Sequence, residues 1–434
     1  MLDTLGTYPL IIIFSLTIII SYFFNIYAKK SGIPAVLLLI GLGIVINYTL
    51  RFLGFPNKPD LLPILEVLGV VGLILIVLEA ALDLRLKKEK LGVILKAFFV
   101  ALLGLGGTAC LAAFTLTSTM GIEMETALLY AIPLSILSSA IILPSIDDLN
   151  EDKRDFMIYE STFSDIIGVI GFFSVLHISG PVVEGGAFGG VASKLILTVI
   201  FSIIISYVLI CVFQNIKAHV KLFLLIAILL LLYAVGEMVA EGMSLIIIMV
   251  FGVILNNYKI FFRGDLKKLL DEERVEEILD DFKIITAESA FVIRTFFFII
   301  FGWSVYLGTL IYTNSELSFD VVGKGLIVLV VIYTIRALVL FIFNGKDILL
   351  QLFLAPRGLI TILLFFAIPK ELSVGVEFQG VLLFVILGSC LIMAWSLIAY
   401  KNKLLKIKEE EIELLENEEG ETEVMLEEKN TENH

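Results

Sequence analysis

Ionisable side chains occur inside stretches of this sequence that are apolar and long enough to cross a membrane. They are four glutamates, one aspartate, three arginines and one lysine: Glu66, Glu79, Glu160, Asp165, Glu288, Arg294, Lys324, Arg336 and Arg357. A charge costs at least about 2.5 kcal/mol at the centre of a bilayer, so such residues pair with one another or face a water-filled cavity. Because both signs are present, internal ion pairs are expected, and a carboxylate without a base is a candidate for proton or cation exchange.

Depth along the predicted helices separates these residues. With a rise of about 1.5 Å per residue, Glu160 lies roughly 8 Å and Asp165 roughly 15 Å into a segment that begins near Asp155. Arg336 lies roughly 10 Å from the same membrane face, so an ion pair between Glu160 and Arg336 is predicted. Asp165 has no base at its level. Desolvation disfavours the charged form of such a carboxyl, so Asp165 is the first candidate for trading a proton for a cation near physiological pH.

Two apolar segments carry residues that interrupt helices. One contains Pro133, Pro144 and the run Ser138-Ser139-Ala140, and the other contains Pro356-Arg357-Gly358. Proline removes a backbone donor and glycine loosens the helix. Non-helical backbone at membrane depth survives only inside protein or along a cavity. A pair of broken helices in corresponding positions is the best sequence pointer to the binding site of a transporter.

The composition identifies the surroundings of these residues. The chain has 434 residues, of which 59% are hydrophobic and 17% charged, whereas a soluble chain has about 45–50% and about 25%. This excludes a soluble enzyme, a disordered protein and a disulfide-stapled secreted domain. Cys110, Cys211 and Cys390 lie in apolar runs and imply no disulfide framework. We predict an all-α polytopic membrane protein.

The apolar segments number about thirteen when a bilayer core about 30 Å thick is taken to need about 20 helical residues. They run near Tyr8–Ala28, Ile33–Leu53, Leu61–Leu82, Gly92–Met120, Met124–Ile146, Asp155–Ser179, Val191–Phe213, Val220–Val239, Met243–Tyr258, Ile284–Tyr312, Phe319–Phe343, Ile348–Pro369 and Val376–Tyr400. The broken segments are the fifth and the twelfth, as corresponding members of two repeated halves would be. We therefore predict two inverted repeats with crossed discontinuous helices.

The distribution of lysine and arginine predicts the orientation. Loops after odd-numbered spans are rich in both: Lys29, Lys30, Arg85, Lys87, Lys88, Lys90, Lys153, Arg154, Lys217, Lys221, Lys259, Arg263, Lys267, Lys268 and Arg274. Loops after even-numbered spans hold only Arg51, Lys58, Lys194 and Lys370. Cytoplasmic loops carry the excess of positive charge. We expect a multi-pass protein of the cell membrane with its N-terminus outside and its C-terminus in the cytoplasm.

Two polar stretches complete the domain organisation. Residues 1–408 are expected to form one transmembrane domain, and residues 409–434 an acidic cytoplasmic tail that is solvated and partly disordered. Within the domain, residues 259–283 are expected to form a cytoplasmic linker, in which Arg263–Lys283 mixes acids and bases at near-helical spacing. We expect Arg263–Lys283 to be a surface helix that joins two halves of the bundle.

Five segments together resemble the monovalent cation:proton antiporters, which include the sodium/proton exchangers. They cover most of the chain in the order of the family: Ser31-Gly32-Ile33-Pro34 leading into Leu39-Ile40-Gly41, Leu78-Glu79-Ala80-Ala81-Leu82, Glu160-Ser161-Thr162-Phe163-Ser164-Asp165, Ile335-Arg336-Ala337 and Pro356-Arg357-Gly358-Leu359-Ile360. No single segment is specific, and the strength of the resemblance lies in their order and spacing.

The resemblance implies a role for each matching residue. Asp165 would be the essential carboxylate that binds the cation and the proton in turn, and is the candidate Na⁺ ligand. Glu160 and Arg336 would form a structural ion pair. Glu79 would approach the ion pathway, although a position near a helix end also allows it to reach water.

The broken helices acquire roles from the same resemblance. Ser138 and Ser139 would supply oxygens of the kind that suits a hard cation such as Na⁺. Pro356, Arg357 and Gly358 would form the break of the second discontinuous helix, with Arg357 capping its carbonyls. Members of the family are typically homodimers that work by moving one helix bundle against another.

Two departures from the family pattern leave the identity of the ion open. Ser164 stands where the exchanger branch has Asn, and Ser164 is kept as a candidate ion ligand. The run Ser138-Ser139-Ala140 replaces the T-D-P of exchangers and is closer to the S-S-T of potassium-efflux relatives. We expect exchange of Na⁺ or Li⁺ for H⁺, with K⁺/H⁺ antiport as the alternative. A single core acid is neutralised equally by H⁺ or Na⁺, so electroneutral exchange is expected.

Other classes of protein fit the sequence less well. A channel would favour repeated pore loops, and an intramembrane enzyme would show a motif such as HExxH, GxSxG or CxxC, none of which occurs. No cofactor is expected besides the transported Na⁺ and H⁺. The expected partners are monovalent cations, protons, the lipid bilayer and a second copy of the chain. The absence of a basic patch interleaved with aromatic residues argues against nucleic acid.

Overall fold

The structure is a computed structural model that describes most of the chain. The described residues are 7–52, 62–146, 149–178, 187–215, 221–239, 244–304, 312–313, 316–317, 320–345, 348–374, 378–403 and 406. The predicted acidic tail, residues 409–434, lies outside the described residues.

The described part of the chain is helical apart from one pair of two-residue strands. The helices are α1 (Thr7–Ser31), α2 (Ala35–Phe52), α3 (Leu62–Asp83), α4 (Leu91–Met120), α5 (Met124–Ser135), α6 (Ser139–Ile142), α7 (Glu151–Ile178), α8 (Ala187–Phe213), α9 (Lys221–Val239), α10 (Ser244–Asn256), α11 (Tyr258–Phe261), α12 (Glu272–Ser304), α13 (Asp320–Asn344), α14 (Leu349–Phe353), α15 (Leu359–Phe366) and α16 (Phe378–Lys403). Single 3₁₀ turns occupy Lys88–Lys90, Leu143–Ser145 and Lys370–Leu372, and a longer 3₁₀ segment occupies Gly264–Leu269. Strands β1 (Tyr312–Thr313) and β2 (Glu316–Leu317) pair antiparallel.

The predicted fold class is confirmed. Each of the thirteen apolar segments contains helix, and nine helices in the described residues are long and apolar enough to cross a membrane. The fifth and twelfth segments are each split into two short helices, α5 with α6 and α14 with α15. The chain is an all-α polytopic membrane protein with two discontinuous helices.

The helices form two groups by their packing. The crossover bundle contains α4–α7 and α13–α16, in which α4 packs on α5, α7 and α13, and α15 packs on α5. The flanking bundle contains α1–α3, α8–α10 and α12, in which α12 packs on α2 and α3, and α10 packs on α3, α8 and α9. The two groups meet mainly where α3 packs on α7 and α15 and where α8 packs on α7. Both halves of the crossover bundle have the same order, a long helix followed by a broken one and another long one.

Glycines allow α2 and α12 to approach at backbone distance. A Cβ atom at Gly43 would lie 2.8 Å from the Trp303 nitrogen, and one at Gly302 would lie 3.1 Å from the Cα of Ile40. Real side chains do not tolerate these separations, so each position requires glycine. Small residues at such crossings allow the dense packing that holds helices together in lipid.

The prediction that the linker forms a separate surface helix is wrong for the second half of the linker. Residues from Glu272 onward belong to α12, which continues without a break to Ser304. The buried residues Val275, Ile278 and Phe282 keep one face of this extension against the protein. With no proline or glycine between Glu272 and Ile284, nothing ends the helix where the apolar stretch ends.

A short connection joins the two bundles between α3 and α4. Asn257, after α10 in the flanking bundle, donates to the carbonyl of Leu84 at 2.8 Å and accepts from the amide of Leu86 at 2.7 Å. Tyr159, on α7 in the crossover bundle, donates to the carbonyl of Arg85 at 2.8 Å. The connection is therefore hydrogen-bonded to both bundles at three consecutive residues.

Candidate functional site

The two discontinuous helices cross where both are interrupted. Helix α5 ends at Ser135, and the amides of Leu137 and Ser138 are bonded outside the helix. The amide of Leu137 donates to the Ser164 hydroxyl at 2.9 Å, and the amide of Ser138 donates to the carbonyl of Pro356 at 3.0 Å. The Ser138–Pro356 bond joins the two breaks directly, and a Cβ at Gly358 would lie 2.8 Å from the Cβ of Ser138.

Arg357 binds carbonyl groups at this crossing. Its guanidinium is 2% exposed and donates through Nε to the carbonyl of Leu134 at 2.5 Å and through Nη1 to that of Ala355 at 3.2 Å. Its own amide donates to the Ser389 hydroxyl on α16 at 3.0 Å. Carbonyls at the C-terminus of a helix lack partners and carry partial negative charge, so the guanidinium stabilises the end of α5.

Arg336 donates to carbonyl groups at the end of α14, in the other broken helix, and pairs with Glu160. Its Nη1 lies 2.6 Å from Glu160 Oε1, and its Nη2 lies 3.2 Å from Glu160 Oε2. Both side chains are buried, at 6% and 1% exposed. The same guanidinium donates to the carbonyls of Gln351 at 2.7 Å, Leu352 at 3.1 Å and Leu354 at 3.4 Å. The pair thus ties α7 and α13 to the end of α14.

Asp165 lies beside the first break with one oxygen engaged. Oδ2 accepts a hydrogen bond from the Ser139 hydroxyl, and Oδ1 is buried without a hydrogen-bond partner in the described residues. The side chain is 3% exposed. Within the same residues no lysine or arginine forms an ion pair with this carboxyl. A buried carboxylate without a base is stable only when a proton or another cation neutralises it.

A cavity of about 740 Å³ lies between the two bundles. Its inner wall includes Ala140, the residue after Ser139, and its opposite wall is formed by α1, α2 and α12. Its other end is lined by Pro34 between α1 and α2, by Ser145 at the end of the fifth segment and by Lys401 near the end of α16. The cavity therefore opens at the membrane face that carries the lysine-rich and arginine-rich connections.

Glu79 forms a second ion pair, with Arg294. Arg294 Nη1 lies 2.9 Å from Glu79 Oε2, joining α12 to α3 with both side chains about one-fifth exposed. Arg294 lines the cavity, and so does Glu288 one to two turns earlier on α12. The family resemblance implies that Glu79 approaches the ion pathway. In the structure its partner Arg294, and not Glu79 itself, is among the residues that line the cavity.

Comparison with known proteins identifies the family. A family model described as the transmembrane sodium/hydrogen exchanger matches residues 13–400. The chain belongs to the sodium/hydrogen exchanger family. This antiporter is therefore a membrane transporter that exchanges cations for protons, and it is not an enzyme.

The fold is also that of a solved antiporter. The structure of the sodium proton antiporter MjNhaP1 from Methanocaldococcus jannaschii at pH 8 has a TM-score of 0.64 and 17% identity, covering 91% of this chain and 99% of that one. A structure of MjNhaP1 from electron microscopy has a TM-score of 0.63 and 17% identity, covering 91% and 96%. Sequence comparison with curated proteins gave no match.

The structure brings together most of the residues singled out from the sequence of this antiporter. Asp165 meets Ser139, Glu160 meets Arg336, and the Ser138 backbone meets the Pro356 carbonyl. Ser164 is directed to a backbone amide of the break and forms no hydrogen bond with Asp165 in the described residues.

Four further contributors were given no role at the site from the sequence. Ser389 accepts the Arg357 amide, and Cys390 donates to the Arg357 carbonyl at 3.5 Å. Glu288 lines the cavity, and Thr162 is buried next to the site. Of these, only Glu288 and Thr162 carried a sequence signal, the first as a charge inside a span and the second by its position three residues before Asp165.

Proposed function

We propose that this antiporter exchanges one Na⁺ or Li⁺ for one H⁺ at Asp165, and that the exchange is electroneutral. The observation that carries the proposal is the buried carboxyl of Asp165, which has no basic partner among the described residues. Its hydrogen-bond partner Ser139 immediately precedes Ala140, which lines the cavity. Either a proton or a monovalent cation neutralises this single acid. The two ions therefore compete for one site, and the charge of the loaded site is the same with either.

Access to the site alternates by relative motion of the two bundles. The cavity lies between them, and the crossing with Asp165 belongs to one bundle only. The lysine and arginine distribution supports a cytoplasmic location of the cavity mouth, with the N-terminus outside and the C-terminus in the cytoplasm.

The homodimer implied by the family resemblance is part of the proposal, and multi-angle light scattering of the detergent-solubilised protein measures its oligomeric state.

The deciding experiment is dissipation of a pH gradient in proteoliposomes on addition of Na⁺, Li⁺ or K⁺. Asp165→Asn is expected to abolish exchange, and the matched control Asp280→Asn, at an exposed position on the start of α12, is expected to retain it. The half-saturating Na⁺ concentration is expected to rise as the pH falls, because protons and Na⁺ compete for one carboxylate. Exchange that persists in Asp165→Asn would refute the site, and a response to K⁺ alone would select K⁺/H⁺ antiport.

Stoichiometry is tested in the same vesicles with a membrane potential imposed by valinomycin and K⁺. One-for-one exchange moves no net charge, so the initial rate is expected to be independent of the potential. A rate that changes with the sign of the potential would contradict electroneutral exchange while leaving the role of Asp165 intact.

A further inference from the structure

Thr162 carries a buried hydroxyl without a partner. The residue is 0% exposed on α7, and its Oγ1 has no hydrogen bond within the described residues. Buried polar groups are nearly always hydrogen-bonded, and each exception requires a reason. In a helix, threonine and serine commonly donate to the carbonyl four residues earlier, and Thr162 does not.

Four serine hydroxyls on α5, α6 and α7 are engaged in hydrogen bonds. Ser161 donates to the carbonyl of Met157 at 2.8 Å, and Ser135 donates to that of Ala131 at 2.7 Å. Ser139 donates to Asp165, and Ser164 accepts from the amide of Leu137. These four serine hydroxyls find partners in the described residues, whereas the Thr162 hydroxyl does not.

Oδ1 of Asp165 is also buried without a hydrogen-bond partner in the described residues. Thr162 and Asp165 are three residues apart on α7, so their side chains project from the same face of the helix, with Cβ atoms about 5–6 Å apart. Two buried oxygens without partners, side by side on one helix, are suited to a ligand that accepts electron pairs from both. A hard monovalent cation is such a ligand, since it binds carboxylate, hydroxyl and carbonyl oxygens.

We propose that the Thr162 hydroxyl is a further ligand of the transported cation, acting together with Oδ1 of Asp165. The inference rests on the proposed function of Asp165 and names an additional residue of the same site. A proton bound to Asp165 needs no second ligand, whereas a dehydrated cation does. Thr162 therefore favours the cation over the proton and sets the affinity for the cation.

The test compares Thr162→Val with Thr162→Ser in proteoliposomes, measuring the initial rate of pH-gradient dissipation against Na⁺ concentration. Valine keeps the shape of threonine and removes the oxygen. The expected result is a rise of about five- to tenfold in the half-saturating Na⁺ concentration, with the maximal rate largely retained. Thr162→Ser keeps the hydroxyl and is expected to stay within about twofold of the unaltered protein.

The matched control is Thr286→Val on α12. Thr286 is also buried, but its hydroxyl donates to the carbonyl of Phe282 at 2.6 Å, so its loss is expected to leave the Na⁺ dependence unchanged. Thermal unfolding without Na⁺ gives an independent measure of folding. Because Thr162→Val removes a buried hydroxyl that has no partner, its unfolding temperature is expected to equal or exceed that of the unaltered protein.

The outcomes separate this inference from the proposed function. An unchanged half-saturating Na⁺ concentration in a folded Thr162→Val protein would overturn the role of Thr162. If Thr162→Val does not fold, Thr162→Ala carries the same expectation and the same refutation. Persistent exchange in Asp165→Asn would overturn the proposed function itself, whereas an inactive Asp165→Asn beside an unchanged Thr162→Val removes only the additional ligand.

Discussion

Removing either member of the buried pair between Glu160 and Arg336 is expected to destabilise the fold unequally. Breaking a buried ion pair by truncating one partner costs about 3–5 kcal/mol, because the remaining charge is left uncompensated. The two residues differ in what they leave behind. After Glu160→Ala the guanidinium still donates to the carbonyls of Gln351, Leu352 and Leu354.

The magnitudes follow from these contacts. Glu160→Ala is expected to cost about 3 kcal/mol of unfolding free energy, the lower end of the range, since Arg336 keeps its carbonyl partners. Arg336→Ala is expected to cost about 5 kcal/mol, because it strands a carboxylate that is 1% exposed and also leaves those carbonyls without a donor. The double variant is expected to be no less stable than Arg336→Ala alone, which gives a coupling energy of about 3 kcal/mol.

The measurement is reversible unfolding in mixed detergent and sodium dodecyl sulfate micelles, followed by helical circular dichroism for both single variants and the double variant. The same cycle on Lys267 and Glu272, which lie 3.0 Å apart with side chains 67% and 45% exposed, serves as the control and is expected to give about 0–1 kcal/mol. Additive effects of the two buried substitutions, or a larger cost for Glu160→Ala than for Arg336→Ala, would refute the reasoning.

Three further substitutions test the packing and the cavity. Gly302→Val is expected to abolish the monodisperse peak in size-exclusion chromatography, because a Cβ there meets the backbone of Ile40; a normal elution profile would contradict the close α2–α12 crossing. Gly358→Ala is expected to lower the maximal exchange rate at least tenfold by displacing the crossing, and a rate equal to that of the unaltered protein would argue against this geometry. Glu288→Gln is expected to raise the half-saturating Na⁺ concentration about twofold at low ionic strength, because an exposed carboxylate in the cavity attracts cations. Glu276→Gln, at an exposed position outside the cavity lining, should leave that concentration unchanged, and equal effects of the two changes would refute a local role.

The site could be predicted from the sequence where local rules determine it. The breaks at Ser138 and Pro356 follow from residues that interrupt helices, whatever surrounds them. The meeting of Glu160 and Arg336 follows from counting residues along two helices that span the same bilayer, because depth is nearly proportional to residue number. Each inference uses only residue types and residue positions within single helices, together with the thickness of the membrane.

The sequence did not predict features that depend on the reach of side chains or on rotation about the helix axis. Arg294 pairs with Glu79 although the two residues differ in depth along their helices, since the long arginine side chain spans the difference. The start of α12 at Glu272 was missed because hydrophobicity marks where a helix enters lipid and not where it begins. The engagement of Ser164 with the amide of Leu137 depends on the exact path of the break.

The connection between α3 and α4 gives an observable marker of transport. If the bundles move against each other, the segment from Leu84 to Leu86 must follow Asn257 or Tyr159, and hydrogen bonds on the other side must open in every cycle. If the segment follows Tyr159, the hydrogen bond from the Leu86 amide to Asn257 opens, and this amide is expected to exchange with deuterated solvent faster during turnover than at rest. The exchange rate of this single backbone amide would therefore report the relative motion of the two bundles.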